Sequence, residues 1–266
     1  MAHAAIPLFK SHYSIGRSIL TLEESNPKEY NPKKPASIID ICKENKLSQL
    51  VLVDDSMSGF LEAYTNTKKE NIQLVFGLRL TFCADITVKD EQSLSSNHKL
   101  IIFSKNSGGY KKLIRISSKA ATDGFYYEPR MDFATLKELW SEDNLSLGVP
   151  FYDSFLHQNL LNFSSCLPDF SFTRPQFFVE SNKLWIDSFL EEKVRQYCEV
   201  SDYPVCVSKS IYYKQRKDYL AYLTFRCINN RTTLDAPNLE HMTSAEFSFE
   251  AHMDGMKELH VENVSL

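Results

Sequence analysis

Residues 105–132 of this 266-residue chain read KNSGGYKKLIRISSKAATDGFYYEPRMD, and this stretch is the most informative part of the sequence. The apolar run at 99–103, which lies just before it, predicts a buried strand. Residues 109–121 then predict a helix that begins after the glycine pair Gly108 and Gly109. A strand followed by a helix is the repeating unit of parallel α/β folds.

The same order of elements recurs along the chain. We predict strands at 4–9, 49–53, 72–76, 78–83, 99–103 and 204–208, and helices at 36–45, 58–70, 109–121, 184–197 and 217–229. This alternation predicts an α/β fold with parallel strands. Reactive side chains in such folds lie where the strands end. Those positions are 10–14, 54–56, Arg79, the neighbourhood of Lys99, Phe151 and 208–213.

Composition limits the classes of protein to consider. At 266 residues the chain fits one large domain or two small ones, and 43% hydrophobic residues are enough for a sizeable core. We expect a single domain over 1–266, whose last ten or so residues either fray or dock a final turn through Met256, Leu259 and Val261. A formal net charge of −4 gives no general attraction to nucleic acid, so direct binding should be weak. Six cysteines without a C-x-x-C pair predict reduced thiols. No apolar run is long enough to span a membrane, and no signal sequence is present, so a cytoplasmic location is expected.

Residues 105–132 resemble the pattern K-N-x-x-G-Y-x-x-L-x-x-L-S-S-x-A-x-x-x-G-F-Y-Y-x-P-R-x-D of the polymerase and histidinol phosphatase (PHP) domain in bacterial DNA polymerase III alpha subunits. Further blocks at 13–14, 52–56, 72–77, 205–213 and 226–249 resemble other motifs of that domain. The resemblance implies a distorted (β/α)7 barrel, with parallel strands inside and helices outside.

Active PHP domains hold divalent ions with imidazoles and carboxylates, which activate water against a phosphoester. The resemblance implies that few of these ligands remain here. One aspartate is kept as Asp54, and its histidine neighbour becomes Asp55, while His98 lies one place out of register. The other ligand positions fall on or near Ile6, Leu8, Lys10, Arg79, Lys99, Phe151, Ser210 and Tyr212.

We therefore expect side-chain cations to replace the metal ions, with Lys10, Arg79 and Lys209 neutralising Asp54 and Asp55. The former metal pocket is expected to comprise Lys10, Asp54, Asp55, Arg79, Lys209, Ser210 and Tyr212, with no catalytic residue, metal or cofactor. Two alternatives are that these basic side chains point outward to solvent, or that they bind a phosphate or nucleotide end without cleaving it.

The resemblance implies a non-catalytic interaction module of a DNA replication apparatus. In this family, a PHP domain that has lost its metal ligands is expected to serve as a docking platform for the separate proofreading exonuclease. The expected partner is thus a DNA polymerase or proofreading exonuclease subunit. A stand-alone chain of this kind is expected to be a virus-encoded accessory or inhibitor in the host cytoplasm. The rivals are a metal-dependent phosphoesterase or 3′–5′ exonuclease using Asp54 and Asp55, and a polymerase fragment with no independent role.

Overall fold

The computed structural model describes residues 5–14, 17–26, 28, 31, 34–162, 166–234 and 244–264. In these ranges the strands are β1 (Ile6–Phe9), β2 (Gln49–Asp54), β3 (Gln73–Phe82), β4 (His98–Ser104), β5 (Arg130–Met131), β6 (Leu145–Val149), β7 (Gln176–Val179) and β8 (Val205–Ile211). The helices are α1 (Ile38–Glu44), α2 (Phe60–Lys69), α3 (Ser107–Thr122), α4 (Phe133–Leu139), α5 (Phe155–Asn162), α6 (Asp187–Ser201), α7 (Tyr219–Asn230) and α8 (Phe249–Val264). Most of the C-terminal segment for which fraying is expected thus belongs to α8, and residues 265–266 lie outside the described ranges.

Seven of the described strands close into a barrel. Their order is β2-β1-β8-β7-β6-β4-β3, and β3 pairs again with β2 to complete the ring. The two-residue strand β5 adds to the end of β3, where Arg130 pairs with Thr81. Buried side chains of the helices pack on the outer face of the barrel. The predicted α/β barrel with helices outside is therefore confirmed.

One strand runs against the predicted direction. β4 is antiparallel to both of its neighbours, β3 and β6, whereas the other pairs in the ring are parallel. The connection from β3 to β4 contains only a short 3-10 helix, Gln92–Ser96, and no α-helix. Parallel neighbours need a crossover connection, usually a helix, to bring the chain back to the same end of the sheet. The chain therefore turns and returns directly.

The two strands predicted on either side of Gly77 are a single strand, β3. Gly77 lies opposite Phe103 of β4 in the antiparallel register. A Cβ atom at this position would lie 2.7 Å from Cε1 of Phe103. The glycine leaves room for that aromatic ring and does not interrupt the strand.

The apolar side chains form two separate cores. A small interior cluster inside the barrel consists of Leu8, Val51, Val53, Ile101 and Phe178. A much larger core lies between the outer face of the strands and the helices. Side chains alternate between the two faces of a strand, so each strand contributes to both cores.

The cysteines and the helices agree with the expectations from composition. All six cysteines are free thiols, and four of them are buried. Across the described ranges, every helix falls short of the length and apolar character needed for a membrane span.

Helix α3 begins two residues before its predicted start because Asn106 caps it. The Asn106 side chain accepts a hydrogen bond from the backbone N–H of Gly109, at 3.0 Å. A Cβ on Gly109 would lie 2.2 Å from the carbonyl oxygen of Asn144. The first turn of α3 can pack this closely against the backbone of Asn144 only because residue 109 has no side chain.

We predict that Gly109→Ala lowers the free energy of unfolding by about 1–3 kcal/mol, because the added methyl group meets rigid backbone. The matched control is Gly255→Ala in α8, where a Cβ would have no neighbour within 4 Å. It should be neutral or stabilising by about 0.5–1 kcal/mol, as expected for glycine in a helix. Urea denaturation measures both changes, and equal losses in the two variants would contradict the proposed packing constraint.

Candidate functional site

A polar cleft of about 260 Å³ lies at the end of the barrel where β2 and β3 finish and β4 begins. We call this end of the barrel the mouth. The residues that line the cleft are Arg17, Asp55, Arg79, Leu80, Thr81, Lys99, Glu128, Pro129, Arg226, Asn229 and Asn230. The carboxyl ends of parallel strands are the positions where α/β barrels carry their functional groups, so this cleft is the candidate site.

The pleat of the strands places charged side chains above the interior cluster. Two residues after the inward-facing Leu8, Val53, Gly77 and Phe178 come Lys10, Asp55, Arg79 and Glu180. Residues two apart on a strand share a face, so the barrel interior changes from apolar to ionic within one repeat. Lys99, the second residue of the reversed strand β4, lies at the same end of the barrel.

Arg79 is the central cation of the mouth. Its side chain is only 4% exposed. Nε donates to Asp55 Oδ1 at 2.7 Å, and Nη1 donates to Asp153 Oδ2 at 3.4 Å. The guanidinium of Arg17 approaches Asp55 and Asp153 from the other side, at 3.8 Å from each. Two arginines and two carboxylates thus alternate across the mouth.

This arrangement keeps the network ionised. Burial acts to raise the pKa of Asp55, but the positive charges of Arg79, Arg17 and Lys10 outweigh it and lower the pKa to about 2. Burial acts to lower the pKa of Arg79, and the carboxylates of Asp55 and Asp153 more than compensate, so its pKa is raised. The Arg79–Asp55 pair is therefore charged at any physiological pH.

Lys10 is a buried cation in a less favourable position. Burial and the nearby guanidinium of Arg79 lower the pKa of Lys10 to about 7. The carboxylates of Asp55, Asp54 and Glu180 offset only part of this effect. The ammonium group of Lys10 therefore loses its proton near neutral pH.

Asp54 lies on the opposite face of β2 from Asp55, and serines satisfy it. Its Oδ1 accepts from Ser11 N at 3.0 Å and from Ser14 Oγ at 2.7 Å, and its Oδ2 accepts from Ser11 Oγ at 2.6 Å. Burial raises the pKa of Asp54, and these hydrogen bonds oppose the rise. Arg79 therefore pairs with Asp55, whereas Asp54 is held mainly by serines and fixes the loop after β1.

Lys209 does not neutralise Asp54 or Asp55 as expected. Its Nζ donates to the carbonyl oxygen of Ser181 at 2.8 Å. Its neighbours on β8, Ser208 and Ser210, face Glu180, and side chains one residue apart point to opposite faces. The expectation fails because the pleat turns Lys209 away from the barrel interior.

Ser210 belongs to a second polar cluster centred on Glu180. The carboxylate of Glu180 accepts from Ser210 Oγ at 2.7 Å, from Ser210 N at 3.0 Å and from Asn182 Nδ2 at 3.0 Å. Glu180 was absent from the residues expected at the site because the four-residue strand β7 that precedes it was not predicted. Tracing the apolar run 177–179 to its end would have found it.

Tyr212 is a buried aromatic residue that does not line the cleft. Its ring lies 5.8 Å from that of Phe247 and 5.5 Å from that of Tyr222. Burial raises the pKa of Tyr212, while the charge of Arg79 acts in the opposite direction. The hydroxyl is therefore neutral and contributes packing and polarity, not charge.

Lys99 forms a separate ion pair at the rim of the cleft. Its Nζ donates to Glu128 Oε2 at 2.8 Å and also to the hydroxyl of Thr81. His98, one place earlier, is buried among aromatic rings, and burial lowers its pKa to about 4. The mouth therefore presents Lys99, whereas the neutral imidazole of His98 faces the core.

The donor set of the mouth does not fit a metal centre. Among the described residues, no three histidine, cysteine or acidic side chains lie close enough together to hold one ion. The nearest carboxylates, Asp55 and Asp153, already bind Arg79. Two unit charges of like sign 4 Å apart repel by about 4 kcal/mol at an effective dielectric near 20, and a dication doubles this. A dication beside Arg79 would also have to compete for both carboxylates.

We predict that Lys10→Met stabilises the protein, and more so in mild acid. Between pH 7 and the ordinary lysine pKa near 10.4, the unfolded chain holds a proton on Lys10 that the folded chain has released, so the wild type gains stability as pH rises. The advantage of the variant should therefore shrink by about 2–3 kcal/mol between pH 6 and pH 9. Urea denaturation at both values measures this. Lys111→Met, on the exposed side of α3, is the control, and an advantage of Lys10→Met that stays constant with pH would contradict the prediction.

The comparisons with known proteins agree with this geometry. The family model for the PHP domain matches residues 32–165. The DNA polymerase III subunit alpha of Chlamydia muridarum is 26% identical over 265 aligned residues, which cover 84% of this chain, and that of Borreliella burgdorferi is 24% identical over 232, which cover 80%. The subunit from Helicobacter pylori is 36% identical over 83 residues, or 31% of this chain.

In the longer of these alignments the chain spans about a fifth of the relative, 21% in Chlamydia muridarum and 19% in Borreliella burgdorferi. The family match itself takes in half of the chain, from the segment before α1 to the end of α5. With the closed barrel and the aligned blocks, it establishes that this chain belongs to the PHP domain family.

Proposed function

We propose that this chain is a non-catalytic PHP module of a DNA replication apparatus that acts through contacts with other proteins. The relatives that it resembles over most of its length are DNA polymerase III alpha subunits. We assign the chain to the same setting and assign no phosphoester hydrolysis to the mouth of the barrel.

The observation that carries the proposal is the position of Arg79. Its guanidinium lies at the mouth between Asp55 and Asp153 and is almost fully buried. Removal of this arginine would leave the buried carboxylate of Asp153 without its cation, and breaking a buried ion pair in this way typically costs about 3–5 kcal/mol. The cation is therefore a permanent part of the fold, and it supplies the positive charge that metal ions would otherwise provide.

The remaining acidic groups are also engaged. Asp54 accepts three hydrogen bonds from Ser11 and Ser14, and Glu180 accepts from Ser210 and Asn182. Activation of water for phosphoester cleavage needs a metal-bound oxygen or a general base with free lone pairs at the reacting centre. Carboxylates held by several neutral donors are poorly suited to either role.

A group of exposed apolar side chains on α7 supports a role in protein contacts. Leu220, Phe225 and Ile228 are 61%, 37% and 70% exposed. With 3.6 residues per turn, the three positions fall within about 140° of one another around the helix, so the side chains point to the same half of its surface. Clusters of exposed apolar side chains of this kind mark interaction surfaces more often than isolated ones do. The occupant that we propose is a DNA polymerase or proofreading exonuclease subunit.

The absence of catalysis is tested with purified protein. We predict no stoichiometric manganese or zinc by elemental analysis, and no metal-dependent hydrolysis of bis-p-nitrophenyl phosphate or of a single-stranded oligonucleotide, with or without added manganese. Metal-dependent turnover that disappears in both Asp54→Ala and Asp55→Asn, but persists in the surface control Asp143→Ala, would replace this proposal by a phosphoesterase or exonuclease function.

The docking role is tested by affinity capture from an extract of the organism that carries the gene, with partners identified by mass spectrometry. We predict that a DNA polymerase or proofreading exonuclease subunit is recovered in stoichiometric amount, and that Leu220→Asp with Ile228→Asp reduces recovery by at least about tenfold, as loss of apolar anchors does at interfaces. The control is Val200→Asp, a highly exposed apolar residue on α6. Recovery of neither subunit, or equal losses in the variant and the control, would contradict the assignment.

A further inference from the structure

Helices α2 and α3 meet on the outside of the barrel along a strip of aromatic rings. The rings of Phe60 and Tyr110 stack with their centroids 3.9 Å apart, and Phe60 also stacks on Tyr64 at 5.9 Å. Phe60 and Tyr110 are only partly buried, and Tyr64 is exposed. The three rings therefore form a continuous apolar strip that joins the two helices and faces solvent.

Exposed aliphatic side chains lie on both sides of this strip. Leu61 of α2 is 71% exposed and lies three residues before Tyr64. Ile114 of α3 is also exposed and lies four residues after Tyr110. Side chains at these spacings are neighbours on the surface of a helix. Phe60, Leu61, Tyr64, Tyr110 and Ile114 thus form one patch, which we call the α2–α3 surface.

The edge of the α2–α3 surface is basic. Lys111 and Arg115 are exposed on α3, and Lys68 of α2 lies over the ring of Tyr64, with Nζ 5.7 Å from the ring centroid. Within the described ranges, none of these three cations has a carboxylate within ion-pairing distance. Helix α3 carries four basic residues and no acidic residue, although the chain as a whole has a net charge of −4. The positive charge is therefore a local feature of this surface.

These features specify the chemistry of an occupant. It needs an apolar face that covers the rings and the aliphatic side chains, and acidic side chains beside that face to meet the cations. An amphipathic helix with apolar residues at i, i+3 or i+4 and i+7 meets both requirements when its polar positions are acidic. A single nucleic-acid strand fits less well, because bases stack on aromatic rings but gain little from aliphatic side chains such as Leu61 and Ile114.

We infer that the α2–α3 surface binds an acidic amphipathic segment of a partner protein. The apolar contacts supply most of the affinity, and the basic edge speeds association and orients the segment. This surface lies on different helices from the exposed apolar group of α7. Its occupancy is independent of whether the mouth of the barrel is catalytic.

Fluorescence polarisation with a labelled peptide of about four helical turns tests this site. Leucine occupies every third or fourth position of the peptide, and glutamate or alanine occupies the others. A second peptide carries lysine in place of each glutamate. We expect the full chain to bind the glutamate peptide saturably and the lysine peptide at least about tenfold more weakly, because the basic edge repels it.

Two variants locate the binding to this surface. Leu61→Asp and Lys111→Glu should each weaken binding of the glutamate peptide by about tenfold, the first by removing an apolar anchor and the second by reversing a charge. Both side chains are exposed, so the fold should tolerate the changes. The matched controls are Val200→Asp on α6 and Lys217→Glu just before α7, which make the same exchanges at other exposed positions and should bind like the wild type.

Four outcomes would overturn the inference. They are the lack of saturable binding of the glutamate peptide, equal binding of the two peptides, equal losses in a variant and its control, and a wild-type dimer in sedimentation velocity that Leu61→Asp dissociates, which would make a second copy of the chain the occupant. Tighter binding of a single-stranded oligonucleotide that Lys111→Glu weakens would also overturn it, in favour of a nucleic-acid site. Each of these results leaves the non-catalytic proposal and the contacts of α7 standing.

Discussion

The guanidinium of Arg79 joins three parts of the barrel mouth that are distant in sequence. It extends from β3, binds Asp55 at the end of β2, and binds Asp153 in the loop after β6. Arg79 and Asp153 are buried well enough that either charge would be costly without the other, whereas Asp55 is partly exposed. The geometry of the mouth therefore depends on a small set of mutually required charges. Lys10 lies close to these charges, and burial together with the charge of Arg79 lowers its pKa to about 7.

The barrel interior is divided by the pleat of its strands. Two residues along each strand separate the apolar interior cluster from the ionic mouth. The same strands therefore place apolar side chains in the barrel interior at one level and charged side chains at the next. The apolar cluster excludes water from below, which strengthens the ion pairs above it by lowering the local dielectric. The packing of the interior cluster therefore affects the strength of the ion pairs at the mouth.

Much of the fold and part of the site could be predicted from the sequence. The family resemblance placed Lys10, Asp55 and Arg79 in one pocket, and the structure brings these three side chains together at the mouth. The sequence alone did not show which of Asp54 and Asp55, or which of Lys209 and Ser210, faces the barrel interior. Neighbouring residues on a strand point to opposite faces, and which of them faces inward depends on how the sheet packs. Glu180 and Asp153 were missed because β6 and β7 are only five and four residues long. The direction of β4 depends on a connection that lacks an α-helix, a feature of topology that local propensity does not reveal.

The reversal of β4 also exchanges the roles of the segments that flank it. Because β4 starts at the mouth, the turn that follows it, where Asn106 caps α3, lies at the far end of the barrel. Helix α3 spans 16 residues, roughly 24 Å, and carries the chain back, so the segment 123–129 delivers Glu128 and Pro129 to the cleft. In this quarter of the barrel a post-helical segment, not a post-strand loop, lines the cleft. Changes in the length of this segment would reshape the cleft, whereas changes at 105–106 would act at the opposite end of the barrel.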